Sequence, residues 1–155
     1  MASEPSLAEQ GYVKVRMSDS DGFTETAWAV RIAPDRDHFR LDNSPFYAYG
    51  VSTDDVVEGA FIDEGLYEFV RVVERSGNRT VRLMFGHDDA DSPFGTRVLD
   101  EVKAMGCSFE GMFSKVVSIT VPPEVQLADV AAYLTSTGLS WEYADPTYAD
   151  LFGEG

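Results

Sequence analysis

From Tyr12 onward the chain alternates. Tyr12, Val13, Val15 and Met17 are set among Lys14, Arg16 and Ser18, the near period-two pattern of a strand with one wet face. Asp19-Ser20-Asp21-Gly22 supplies a turn, and Thr26 to Ile32 places Trp28, Val30 and Ile32 on one side of a hairpin partner. A short strand is expected over His38 to Leu41. It is followed by Asn43-Ser44-Pro45 and the ring-rich run Phe46-Tyr47-Ala48-Tyr49-Gly50. Asp55 to Phe61 and Tyr67 to Val73 read as a further hairpin about Asp63-Glu64-Gly65. Ser76-Gly77-Asn78 then turns into Thr80 to Phe85, where Val81, Leu83 and Phe85 share a face. Five or six short strands at this spacing predict an antiparallel, barrel-like sheet.

The period changes after Gly86. Ser92-Pro93 is an N-cap residue followed by proline at the first helical position, and Val98, Leu99, Val102 and Met105 form one apolar stripe that ends at Gly106. Phe109 to Val121 is strand-like with an interruption at Gly111, either a tight hairpin or one long bulged strand. Leu127, Val130, Ala131 and Leu134 make a second helical stripe closed near Gly138, and Leu139 to Tyr143 a last strand. From Thr80 the order is strand, helix, one or two strands, helix, strand. With the hairpin option this is the split β-α-β, ferredoxin-like plan. The expected class is α+β: a flexible arm over 1–11, one compact body over 12–145 with a strand-rich part (12–85) and a ferredoxin-like part (79–145), and an acidic tail over 146–155.

Composition narrows the possible functions. Among 155 residues, 27 Asp and Glu face 12 Lys and Arg, a formal net charge of −15, while 44% of residues are apolar. Such a chain has enough apolar content for a core, and its charge opposes nucleic acid and anionic membrane. No apolar run approaches the roughly 20 residues of a membrane-crossing helix. The first residues, Met1 to Pro5, lack the basic start and apolar stretch of a secretory signal, and the single Cys107 allows no internal disulfide. A cytoplasmic protein is expected. Beyond Lys115 there is no Lys or Arg, so Glu124, Asp129, Glu142 and Asp145 are expected to form an acidic face suited to a basic partner protein.

Candidate chemistry is sparse. Asp19, Asp21 and Glu25 resemble the start of a calcium loop, but Phe23 occupies a ligand position; His87, Asp88, Asp89 and Asp91 are equally a solvated helix approach. Cys107, His38 and His87 are the possible thiol–imidazole set. Cys107 follows a helix C-terminus, which disfavours thiolate and fits a buried structural residue. No motif calls for a metal or another cofactor, and no catalytic residue is assigned. The aromatic residues carry more information. In one reading Trp28, Phe46, Phe61 and Phe69 fill a core and the tyrosines keep wet hydroxyls; in the other Trp28, Tyr47 and Tyr49 line a cleft, with Arg71 and Arg75 as its cations.

The succession Ala27-Trp28-Ala29-Val30, Phe39 to Ser52, Asp54 to Val57 and Val72 to Arg82, followed by Ser118 to Pro122 and Gly138 to Tyr143, resembles the bacterial family of domains of unknown function numbered 4265. The likeness spans roughly residues 12 to 145. It implies a bacterial cytosolic protein and brings no catalytic residues with it. It directs attention to Asn43 to Val57, the part least explained by core packing. The function expected is non-catalytic binding, of an accessory or immunity type with an acidic face for a basic protein. A small-molecule or peptide-binding domain with an aromatic cleft is the alternative, and an unidentified enzyme the third. Oligomeric state is left open by these patterns.

Overall fold

The computed structural model describes residues 11–18 and 21–153. The arm expected over 1–11 therefore lies, apart from Gly11, outside the described residues, as do Asp19 and Ser20 of the first turn. Strands β1 (Tyr12–Ser18), β2 (Thr24–Arg31), β3 (His38–Leu41), β4 (Val56–Asp63) and β5 (Leu66–Glu74) form a closed barrel. Consecutive strands pair antiparallel, and β1 closes the ring on β5 in parallel, Val15 opposite Tyr67. Closure removes the sheet edges that an open meander would leave.

The barrel interior holds Val15, Met17, Ala27, Ala29, Phe39, Leu41, Val51, Val57 and Tyr67. Trp28 shares a face with Val30 as expected, but it is the outer face, and the alanines beside it point inward. Phe61 is likewise exposed and Phe46 is half-buried, so of the four rings read together as core only the half-buried Phe69 packs against the barrel interior. The reason is space. A five-stranded barrel is narrow, and Phe39 and Tyr67, with ring centroids 4.5 Å apart, occupy much of it. A Cβ on Gly59 would stand 2.8 Å from Tyr67 Cβ and 3.0 Å from Phe39 Cε2, so only small residues fit opposite these rings.

The chain then leaves the barrel. Strand β6 (Arg79–Met84), helix α1 (Pro93–Ala104), strands β7 (Ser108–Met112) and β8 (Val116–Val121), helix α2 (Leu127–Ser136) and strand β9 (Ser140–Asp145) build a four-stranded antiparallel sheet in the order β7-β8-β6-β9. This is the ferredoxin-like order. Ser92 Oγ accepts the Gly95 amide at 3.0 Å and Pro93 opens α1, as its sequence signal implies; Gly106, at φ +104°, ends it. The segment 108–121 is the hairpin. Its turn is Phe113-Ser114, both residues left-handed, and Gly111 sits within β7 opposite Val117. Val81, Leu83, Val117, Ile119 and Val121 meet Val98, Leu99, Val102, Val130 and Leu134 of the helices to form a second core.

Of the segment read as a tail, residues 146–153 are described, and they include a short helix. Helix α3 (Tyr148–Phe152) begins at Thr147, whose hydroxyl accepts the Asp150 amide while its own amide donates to the Asp150 carboxylate, a capping box. Among the described residues no helix is long and apolar enough to cross a membrane.

Candidate functional site

The two cores are separated by a polar seam. Alternation along β6 and β8 turns Val81, Leu83, Val117 and Ile119 toward the helices, and Thr80, Arg82, Ser118 and Thr120 toward the barrel. On that side lies the barrel loop from Asp42 to Asp55. The Ser118 hydroxyl donates to the Pro45 carbonyl at 2.9 Å, so the 2.6 Å contact between Ser44 and Ser118 has Ser44 as donor. A second chain follows the same logic. Ser52 donates to Asp145 at 2.7 Å and accepts from Thr80 at 2.6 Å. Glu110 of β7 accepts from the Asn43 side chain and the Ser44 amide. Among the described residues, the buried polar or charged side chains are Ser44, Ser52, Asp55, Thr80, Arg82, Ser118, Thr120 and Asp145, drawn from this loop and the strands facing it.

The loop that crosses the seam also carries the tyrosines. Glu25 of β2 accepts the backbone amides of Phe46, Tyr47 and Ala48, and so fixes the shape of this stretch. This carboxylate, which the sequence suggested for a calcium loop, is engaged in structure. Gly50, at φ +78°, donates its amide to the Ala144 carbonyl and ties the loop to the end of β9. Tyr49 is 54% exposed, yet it is held from two sides. Its hydroxyl donates to Glu142 at 2.8 Å, and the Arg82 guanidinium lies 4.6 Å from its ring centroid. Arg82 is 1% exposed and pairs through Nε with the same Glu142 at 3.0 Å; its Nη2 meets no acceptor among the described residues. Burial and the Glu142 carboxylate raise the Tyr49 phenol above its ordinary range, so it stays protonated as a donor.

Tyr49 stands between two cavities. One, of about 370 Å³, is lined by Met17, Phe46, Tyr47, Val51 and Phe69 with Tyr49 and Glu142. The other, of about 570 Å³, is lined by Tyr49, Trp141, Glu142, Tyr143, Thr147 and Tyr148. Both fall in the size range of small-ligand sites. Of the expected cleft residues, Tyr47 and Tyr49 come together here. Trp28 lines neither cavity and lies edge-on to Tyr12 with Lys14 over its ring. Arg71 is paired with Glu58 at 2.8 Å on the barrel, and Arg75 is bound to Asp145 and the Gly50 carbonyl.

The four acids expected on one face divide in two. Glu124 is exposed before α2 and Asp129 on its first turn, whereas Glu142 and Asp145 belong to the seam and pair with Arg82 and Arg75. Burial pushes the Asp145 carboxyl above its ordinary value despite the Ser52 bond and the Arg75 charge that favour ionisation. The residues missed in the sequence are Arg82, Trp141, Tyr143 and Tyr148. Thr147 and Asp150, spaced as a capping box, are the signal that could have brought out Tyr148.

The thiol–imidazole set is dispersed. Cys107 is buried in the helix-covered core with its thiol pushed up by burial, His38 belongs to barrel strand β3, and His87 lines a separate surface cavity after β6. Asp89 of the same loop is paired with Lys115. Among the described residues no group of three or more His, Cys, Asp or Glu side chains is placed to hold a metal ion.

A family model described as a domain of unknown function, DUF4265, matches residues 25–143. A solved structure described as a novel crystal structure of a hypothetical protein from Neisseria gonorrhoeae is similar in fold, with a TM-score of 0.67 at 19% identity, covering 88% of this chain and 96% of that one. No curated protein matches the chain.

Proposed function

We propose a function from the site itself, because the chain belongs to the DUF4265 family, whose description assigns no activity. The protein is a non-catalytic binding protein that receives its ligand in the aromatic cleft about Tyr49. The observation that carries this reading is an exposed ring fixed before any ligand arrives: Tyr49 is braced by Glu142 and Arg82 and flanked by cavities on both sides. A pre-positioned aromatic ring offers contact area at little further entropic cost. Burial of Cys107 within the helix-covered core supports a structural role for the one thiol. The acidic-face reading narrows, on this geometry, to Glu124 and Asp129, since Glu142 and Asp145 already have internal cations.

The test is a screen of small-molecule fragments and short peptides followed by amide NMR shifts. Ligands are expected to perturb residues 46–51 and 140–148, and Tyr49→Ala is expected to weaken them at least tenfold while leaving the melting temperature within a few degrees, as for an exposed side chain. Hits that map to other surfaces, or that bind Tyr49→Ala as tightly as the native chain, would overturn the reading.

A further inference from the structure

The larger of the two cavities has a chemical character of its own. We infer that it is a site for an organic ammonium group, an inference that rests on the cleft reading above and names its ligand class. Four aromatic side chains border it: Tyr49 from the barrel loop, Trp141 and Tyr143 from β9, and Tyr148 from α3. These rings form one connected set on the β9 side. Trp141 and Tyr143 meet edge-on at 4.8 Å, Tyr143 and Tyr148 lie 6.3 Å apart, and Phe152 backs both tyrosines at 5.8 and 4.8 Å. The indole N–H of Trp141 is already committed to Thr135, and the Tyr49 hydroxyl to Glu142. Apart from the Tyr143 and Tyr148 hydroxyls, the rings offer apolar surface and the negative potential of their faces, which attracts cations.

The charges around the cavity point the same way. Its lining includes the Glu142 carboxylate and no Lys or Arg. Arg82, beneath Tyr49, is matched by Glu142 and does not line the cavity. Arg82 already lies over the Tyr49 ring, whereas among the described residues no Lys or Arg lies over Trp141, Tyr143 or Tyr148. An anion would find no Lys or Arg in this lining, and Glu142, already paired with Arg82 and Tyr49, would oppose it. An alkylated ammonium group suits these rings, because its methyl groups tolerate the apolar walls while its charge is shared among the ring faces.

The test compares choline with its uncharged carbon isostere, 3,3-dimethylbutan-1-ol, titrated into the full chain with the Trp141 indole N–H resonance as the reading. Choline is expected to shift that resonance saturably, at least tenfold more tightly than the alcohol, and to lose affinity as salt rises. Tyr148→Leu, which keeps an apolar side chain but removes the ring, is expected to weaken choline about tenfold, the loss of one cation–π partner. Tyr47→Ala, in the other cavity, is expected to leave it unchanged. A peptide carrying trimethyllysine distinguishes the ligand's source: tighter binding than choline assigns the group to a protein side chain, and equal binding to a free small molecule. Equal binding of choline and the alcohol would overturn the inference while leaving the cleft reading intact. So would screening hits that shift residues 46–51 while choline leaves Trp141 unmoved.

Discussion

The two faces of the four-stranded sheet are made by the same strands and hold the molecule together by opposite means. Toward the helices, Val81, Leu83, Val117 and Ile119 exclude water with apolar surface alone. Toward the barrel, Thr80, Arg82 and Ser118 are just as buried, yet each is matched to a named partner in the loop or in β9. The apolar face gains from area and tolerates imperfect geometry. The polar face gains little net from each bond but loses much if one partner is removed, so it specifies a single docking of barrel on sheet. That second property matters for the cleft, because Tyr49 is positioned by this docking.

The largest test of the contrast is on the apolar face. Leu83→Ala is expected to cost about 2–5 kcal/mol in denaturant unfolding, through lost transfer energy and the cavity left behind. A cost below about 1 kcal/mol would mean that this core collapses around the gap. Next comes Ser118→Ala, which leaves the Ser44 hydroxyl without its acceptor and the Pro45 carbonyl with only the 3.4 Å contact from Arg82. A loss of about 1–3 kcal/mol is expected. The double variant Ser44→Ala with Ser118→Ala should cost less than the sum, since both ends of one bond go together; strict additivity would break the description of the seam as paired.

The smallest effect is a pH slope. Asp145 has a folded pKa above its ordinary 3.8, chiefly through burial, so the folded state keeps this proton longer than the unfolded one does. Its contribution to stability is then greatest at low pH and declines as pH rises from 3.8 through the raised folded value, levelling beyond it. The stability difference between the native chain and Asp145→Asn should fall over that interval. A difference that rises instead would show that Arg75 and Ser52 outweigh burial.

Local signals carried far in this protein. Ser92-Pro93 and Gly106 mark the ends of α1 because capping is decided within one turn of chain, and alternation marked β6 and β8 because the strand period is local. The hairpin turn at Phe113-Ser114 carries no such signal, since neither residue favours the left-handed region it adopts. The site was half legible. Tyr47 and Tyr49 stood out as rings in a turn-rich loop, while Trp28, equally prominent, faces the barrel exterior away from both cavities.

The sequence by itself determined most of the strands, the helices α1 and α2 and their two apolar stripes, because each follows from period and capping over a few residues; the ferredoxin-like order waited on the hairpin at Phe113-Ser114, and α3 was read as tail. It also determined that cations are absent beyond Lys115. Only the tertiary structure decided which face of each strand is inside. Trp28 is excluded because a five-stranded barrel already filled by Phe39 and Tyr67 has no room for it, and Arg82 is included because a loop brings Pro45 and Tyr49 over it, beside the Glu142 of β9. Alternation reports that two faces differ; what covers the polar one depends on residues far along the chain.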